Sequence, residues 1–365
     1  MTPRNLLSRT ALAICAAMLP LAAQTPLFND GTAFGGSKVF SEGLNPLGNP
    51  ARFDRSPSGW YLSYVDGDQR AKDNASILED TLSTDAATTG AALKRLAENP
   101  WAIRIRAYGI TGVKDSASFG YTREEYRSEY AHVDLANLGA NLPLNQSQLD
   151  GRRVVVDRVH FGGGALASGT AAGFNVRLER WSMGVVAPYL AVNPDSTLPP
   201  PVPGAFPFPY SANDYVMRFS TTTARTLTYA LDAGFTTELA EGLRVGAMVD
   251  QINAKRLWDV NMKPRIRASL QIDLGPSTQL TAETDLNAVQ RMPFPVNQKS
   301  SAASLRYQVS QAVVFLLGAE RRKIEDSSTT VAGVTLQLRT PSLLVSFGFQ
   351  AGQDRPLKGL ALMVN

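Results

Sequence analysis

Residues 265–274 read Arg-Ile-Arg-Ala-Ser-Leu-Gln-Ile-Asp-Leu, and their alternation decides the fold class. Ile266, Ala268, Leu270, Ile272 and Leu274 fall on one side of an extended chain, and Arg265, Arg267, Ser269, Gln271 and Asp273 on the other. A period of two is the signature of a β-strand with one apolar and one polar face. The next segment repeats it, with Leu280, Ala282, Thr284, Leu286 and Ala288 opposite Gln279, Thr281, Glu283, Asp285 and Asn287. Gly275, Pro276 and Ser277 supply the turn between the two.

The same pattern extends outward in both directions. Leu227 to Phe235, Leu243 to Val249, Val334 to Leu338 and Val345 to Phe349 alternate in the same way. Each run is about ten residues long, the length a tilted strand needs to cross a hydrocarbon layer and more than a soluble sandwich uses. Short connections near 239–241, 275–277, 310–311 and 340–341 alternate with longer ones near 253–263, 289–300, 321–329 and 352–356. Membrane barrels have short periplasmic turns and longer outer loops, so this regularity predicts a barrel. Its polar face, with Arg265, Arg267, Asp273, Glu283 and Asp285, is expected to line a wet or plugged lumen.

Toward the N-terminus the pattern loosens. Trp60–Val65 and Trp101–Tyr108 read as strands, each opened by a tryptophan suited to an interfacial aromatic belt. Strands are also expected near Ser116–Arg123, Arg153–Phe161, Thr170–Leu178 and Ser182–Val192, with Gly162, Gly163 and Gly164 interrupting one of them. Between the first two strands, residues 71–99 place Ile77, Leu78 and Leu82, then Leu93, Leu96 and Ala97, at helical spacing, punctuated by Gly90 and Pro100. This predicts a helical loop packed on the barrel mouth, with a partner-docking helix as the alternative. The sum is an all-β antiparallel transmembrane barrel of about 14 strands over residues 57–365.

Arg4 and Arg9, an apolar stretch from Ala11 to Leu19 and the small residues ending at Ala23 have the order of a secretory signal peptide over residues 1–23. Ile14 ahead of Cys15 fits a lipoprotein signal poorly. Cleavage after Ala23 would remove the only cysteine, leaving no disulfide or thiolate metal site, and would lower the formal net charge from +4 to +2. Basicity therefore gives no ground for a nucleic-acid partner.

Little points to chemistry. His132 and His160 are the only histidines, neither in a metal-ligand spacing, and no nucleotide-binding loop occurs, so no metal or cofactor is expected. His160-Phe161-Gly162-Gly163-Gly164 has the form of an oxyanion loop but lacks an accompanying Gly-x-Ser-x-Gly. Ser128, His132 and Asp134 are the remote option for a hydrolase. Residues 194–210 hold seven prolines with Phe206, Phe208 and Tyr210 interleaved. They form either a rigid outer loop or a landing site for a hydrophobic ligand or partner.

Residues 31–53, GTAFGGSKVFSEGLNPLGNPARF, have a glycine-rich start followed by Asn49-Pro50-Ala51, and this resembles the segment ahead of the barrel in FadL-type outer-membrane transporters. The resemblance implies a hatch over 24–56, with Asn49, Pro50 and Ala51 within it, and passive passage of a small hydrophobic compound. Lys263-Pro264-Arg265-Ile266-Arg267 opening a strand, Leu280–Leu286 with Asp285-Leu286 before a loop, and the helical insertion are similar to the TraF-like conjugal-transfer branch. That branch implies an interaction platform for a secretion or conjugal-transfer apparatus, with an envelope protein as partner and outer-membrane lipid around the barrel. The chain departs from the FadL pattern in ending Leu360-Ala361-Leu362-Met363-Val364-Asn365, without a terminal aromatic. The ligand-pocket residues of fatty-acid transporters have no counterparts that can be mapped onto it.

Overall fold

A computed structural model describes residues 38–40, 49–51, 58–69, most of 77–98, 100–186, 224–291, 294–324, 327–351 and 357–364. Expectations for 1–23, for Leu82, for the side chain of Trp101 and for the proline-rich loop, including Phe206, Phe208 and Tyr210, lie outside the described residues.

The strands are β1 (Gly59–Gln69), β2 (Trp101–Lys114), β3 (Ala117–His132), β4 (Gln148–Ala167), β5 (Thr170–Val186), β6 (Ala224–Ala240), β7 (Leu243–Asp250), β8 (Arg256–Leu257), β9 (Val260–Asn261), β10 (Arg265–Gly275), β11 (Thr278–Asp285), β12 (Val289–Arg291), β13 (Phe294–Gln308), β14 (Val313–Ile324), β15 (Ser327–Arg339), β16 (Leu343–Ala351) and β17 (Leu357–Val364). Fourteen of them form a closed antiparallel barrel in chain order, with β8 and β9 pairing only with each other and β12 a short addition beside β13. Closure comes from β1 against β17, with Trp60 opposite Val364 and Asp66 opposite Lys358. Each of the fourteen barrel strands thereby has two partners and the barrel has no open edge.

One face of the alternation is apolar and exposed: Trp60, Leu62, Tyr64, Ile110, Phe119, Leu178, Leu270, Leu280, Leu317, Phe347 and Leu360 all turn outward. In water this surface would be a large exposed apolar patch; in a bilayer it is the solvated one. The opposite face holds the buried polar residues.

Short turns collect at one rim. Asp115 and Ser116 (φ 49° and 69°) join β2 to β3, and Ser168 and Gly169 (φ 50° and 81°) join β4 to β5. Positive φ at both central residues gives a two-residue hairpin the twist of its strands. The other rim carries the long connections 70–100, 133–147, 187–223 and 251–264. By the rule for such barrels the latter rim faces outward from the cell.

The structure corrects several boundaries. Gly162–Gly164 interrupt nothing: β4 runs unbroken for 20 residues, with Gly162 paired to Ser118 and Asn175. Ser182–Val192 is no separate strand, because β5 continues from Thr170 to Val186. The expected loop at 289–300 is β12 followed by the start of β13, and that at 321–329 is the end of β14 and start of β15. Lys299–Ser301, Arg321–Lys323 and Ser327–Thr330 are polar at successive positions, so alternation disappears there although strand pairing continues.

The helical insertion contains α1 (Ala86–Glu98). Asp85 caps it by accepting from the Thr88 and Ala87 amides. Its buried Ala92, Leu93 and Leu96 pack with Ile77, Leu78, Ala131 and Leu149. Ala131 and Leu149 pair across β3 and β4 at outward-facing positions, so the helix leans on the outside of the rim instead of lying over the mouth.

Candidate functional site

The barrel interior is built in layers. Nearest the outer rim, Val65 of β1, Ile105 of β2, Tyr126 of β3, Val154 and Val156 of β4, Trp181 and Met183 of β5 and Ala361 of β17 form one buried apolar cluster. All sit at inward positions of their strands, fixed by the registers Tyr126–Val154–Met183 and Val156–Trp181. Outward-facing Val155 lies between inward-facing Val154 and Val156 of this layer, so residues 154–156 are apolar without a period.

The layer is roofed by the connection 251–264. There β8 and β9 make a small hairpin, Arg256 opposite Asn261 and Leu257 opposite Val260. Leu257, Val260 and Met262 are buried in the cluster and Trp258 is packed against it. Two polar tethers hold the hairpin. Asp259 accepts from Arg152 of β4 at 2.7 and 2.9 Å, and Gln290 accepts from the Asn261 amide at 2.8 Å.

Beneath the apolar layer runs a belt of charges. Arg158 lies between Glu124 (2.6 Å) and Glu179 (2.8 Å), and Arg177 between Glu179 (3.2 Å) and Asp232 (3.0 Å). Lys38 meets Asp250 at 2.8 Å. Arg265 and Arg267 share Asp285, Arg267 also reaches Glu283 at 2.8 Å, and Ser300 bonds both arginines and Asp285. Acids and bases alternate from β3 to β11, with Ser300 of β13 as a neutral partner, which is how charge can be buried without an unpaired ion. Asp273 stands apart from this belt, paired with Arg244 at 3.0 Å near the short-turn rim.

The two layers are joined by amphipathic rings. Tyr126 donates its hydroxyl to Glu124, Trp181 donates its indole N–H to Glu179 at 3.0 Å, and the Arg158 guanidinium lies 5.3 Å from the Trp181 ring centroid.

Below and beside the belt sits the N-terminal segment. The Val39 amide donates to Glu283 at 3.1 Å, Asn49 donates to the Val39 carbonyl at 2.7 Å, and the Ala51 amide donates to the Asn49 side chain at 3.0 Å. Glycines on the lumenal wall make room for it. A methyl group at Gly173 would strike the Pro50 carbonyl, one at Gly234 would strike Asn49, and one at Gly246 would lie 2.7 Å from Val39. Asn49, Pro50 and Ala51 are thus held against β5 and β6 inside the barrel.

The Ser128, His132 and Asp134 option is not assembled. The Ser128 hydroxyl donates to the Arg152 carbonyl, the His132 ring packs edge-on to Tyr130, and Asp134 accepts from Asn137 and from the amides of Ala136 and Gln146. His160 faces the lumen instead, its Nε2 3.2 Å from the Thr111 hydroxyl, with Gly120 giving its ring room.

No family model matches the chain, and no curated protein matches it. Among solved structures, the fold is similar to that of the Pseudomonas putida toluene transporter TodX, with a TM-score of 0.50 and 9% identity over 94% of this chain and 98% of that one. A deltaS2S3 mutant of TodX, described as a monoaromatic hydrocarbon channel, matches with a TM-score of 0.50 and 11% identity over 90% of this chain and 98% of that one. At this identity the likeness is one of fold.

Proposed function

We propose that the protein passes a small apolar compound inward across the outer membrane, and that the compound binds first in the apolar layer under the β8–β9 hairpin, taking the place of Leu257, Val260 and Met262. The observation that carries this is the buried apolar cluster at the outer end of the lumen, roofed by a hairpin whose polar tethers sit at its edge. TodX, which shares the fold, is a toluene transporter, and this supports the same compound class here. Movement is passive and follows a gradient. Asn49, Pro50 and Ala51 act as a hatch that shifts off Gly173 and Gly234 to let the compound past the charged belt, and Phe206, Phe208 and Tyr210 offer a first contact outside.

Uptake of toluene by cells with an otherwise intact outer membrane tests the proposal. Producing the protein should raise uptake, and deleting residues 194–210 should lower it again. Uptake equal to that of cells lacking the protein would refute it.

A second reading follows from the TraF-like resemblance: a platform for an envelope apparatus. The helical insertion between β1 and β2 favours it. Because α1 buries its apolar face on the β3–β4 hairpin, a partner would meet its exposed face, around Lys94 and Arg95. Partners that co-purify with the intact protein and are lost on deleting 71–99, without any toluene uptake, would select this reading.

A further inference from the structure

The outward face of β1–β5 changes character partway up the wall. Near the short-turn rim it is apolar, and Tyr64 and Tyr108, opposite each other in register, end that zone. Amphipathic rings gather at the boundary between hydrocarbon and headgroups. Beside and beyond them, still pointing sideways from the barrel, come Arg123 and Arg180 in the same register row and Arg106, Arg127 and Arg153 further along.

Their carboxylate neighbours are fewer. Asp157 is shared by Arg123 (3.1 Å) and Arg180 (2.8 Å), and also accepts from the Tyr121 hydroxyl. Glu125 is shared by Arg127 (3.0 Å) and Arg153 (2.9 Å), and Arg106 pairs with Asp66 at 3.4 Å. One carboxylate between two guanidiniums leaves the patch positive. Each guanidinium has five N–H donors, more than its shared carboxylate uses. The Arg180 and Arg106 side chains are 66% and 52% exposed. A row of planar guanidiniums spread over adjacent strands suits several phosphate groups carried on one molecule better than a single small ion.

We propose that this collar binds the phosphate groups of a phosphorylated lipid in the outer leaflet. Position selects the occupant. The collar begins where the apolar band ends, on the rim that faces outward, and its side chains project into the headgroup layer and not toward the lumen or the open solvent above the loops. The tyrosines lie against the upper acyl chains while the arginines take the phosphates. Asp157 and Glu125 keep the guanidiniums fanned apart before lipid arrives. This site is separate from the lumen and does not depend on what the lumen carries.

The test uses the full-length barrel folded in detergent and two probes, diphosphoryl lipid A and its dephosphorylated counterpart, with retention read by native mass spectrometry. Wild type should retain the diphosphoryl form at least tenfold better. The triple variant Arg123→Gln/Arg153→Gln/Arg180→Gln should lose that preference, and the matching lysine triple should recover part of it. Equal retention of the two lipids by wild type, or an unchanged preference in the glutamine triple, would overturn the proposal. So would inorganic pyrophosphate displacing the lipid at equimolar concentration, since the site would then hold a small anion. Should the glutamine triple fail to fold, as judged by unchanged gel mobility on boiling, the wild-type comparison of the two lipids decides by itself.

Discussion

The roof over the apolar layer can be opened by two kinds of substitution, and the structure says which is the stronger. Asp259 bonds Arg152 twice, but its side chain is 43% exposed, and an ion pair so wetted contributes about 1 kcal/mol or less. Leu257→Ala and Val260→Ala remove five buried carbons between them, at about 0.8 kcal/mol each, or about 4 kcal/mol in total. Asp259→Ala should therefore raise the open fraction by about fivefold at most, and the double truncation by between two and three powers of ten, at 1.4 kcal/mol per decade. A cysteine at Val156, which is fully buried in the cluster, reports opening through its maleimide labelling rate once Cys15 is replaced by serine. Faster labelling in the double truncation than in Asp259→Ala is expected. If Asp259→Ala labelled faster, or if neither changed the rate, the hairpin would not be a roof held by apolar burial.

Other consequences concern the layers beneath. Gly234→Leu puts a side chain where Asn49 now sits and should expel the N-terminal segment, seen as protease cleavage near Lys38 in folded protein that resists it in wild type. Asp285→Ala leaves Arg265 and Arg267 without their shared partner and should destabilise the folded barrel by about 3–5 kcal/mol in denaturant titrations; Ser300→Ala, a neutral partner, should cost about 1 kcal/mol. Asp134 is held below the usual carboxylate value of 3.8 by hydrogen bonds, foremost from the Asn137 side chain. A depressed folded pKa means the loop 133–147 keeps this contribution above pH 3.8 and loses it as the pH falls through the lower folded value, so pepsin cleavage of the loop should rise only below about pH 4 in wild type and already at pH 4 in Asp134→Ala.

Sequence alternation showed most clearly where one face of a strand meets lipid and the other meets charge. Arg265, Arg267, Glu283 and Asp285 stand out for that reason, and their spacing alone places them on the face opposite Ile266 and Leu280. The apolar layer was illegible for the converse reason. Val154-Val155-Val156 has no period because its inward positions are as apolar as its outward ones, and only cross-strand registers bring it to Trp181 and Met183. Gly173, Gly234 and Gly246 look like weak points in strands, and their use as clearance for Asn49, Pro50 and Val39 depends on contacts some 120 to 200 residues away in the chain. The 253–263 connection was recognisable as long, but nothing in its composition distinguished a loop in solvent from a hairpin folded into the mouth.

Two tryptophans on opposite sides of the same wall offer the most direct test. Trp60 projects outward at 55% exposure and Trp181 is 1% exposed within the lumen. In bilayers with brominated acyl chains, a variant keeping only Trp60 should lose much of its fluorescence and one keeping only Trp181 should be little affected. Equal quenching of both, or none of either, would contradict a membrane barrel with its apolar layer sealed inside.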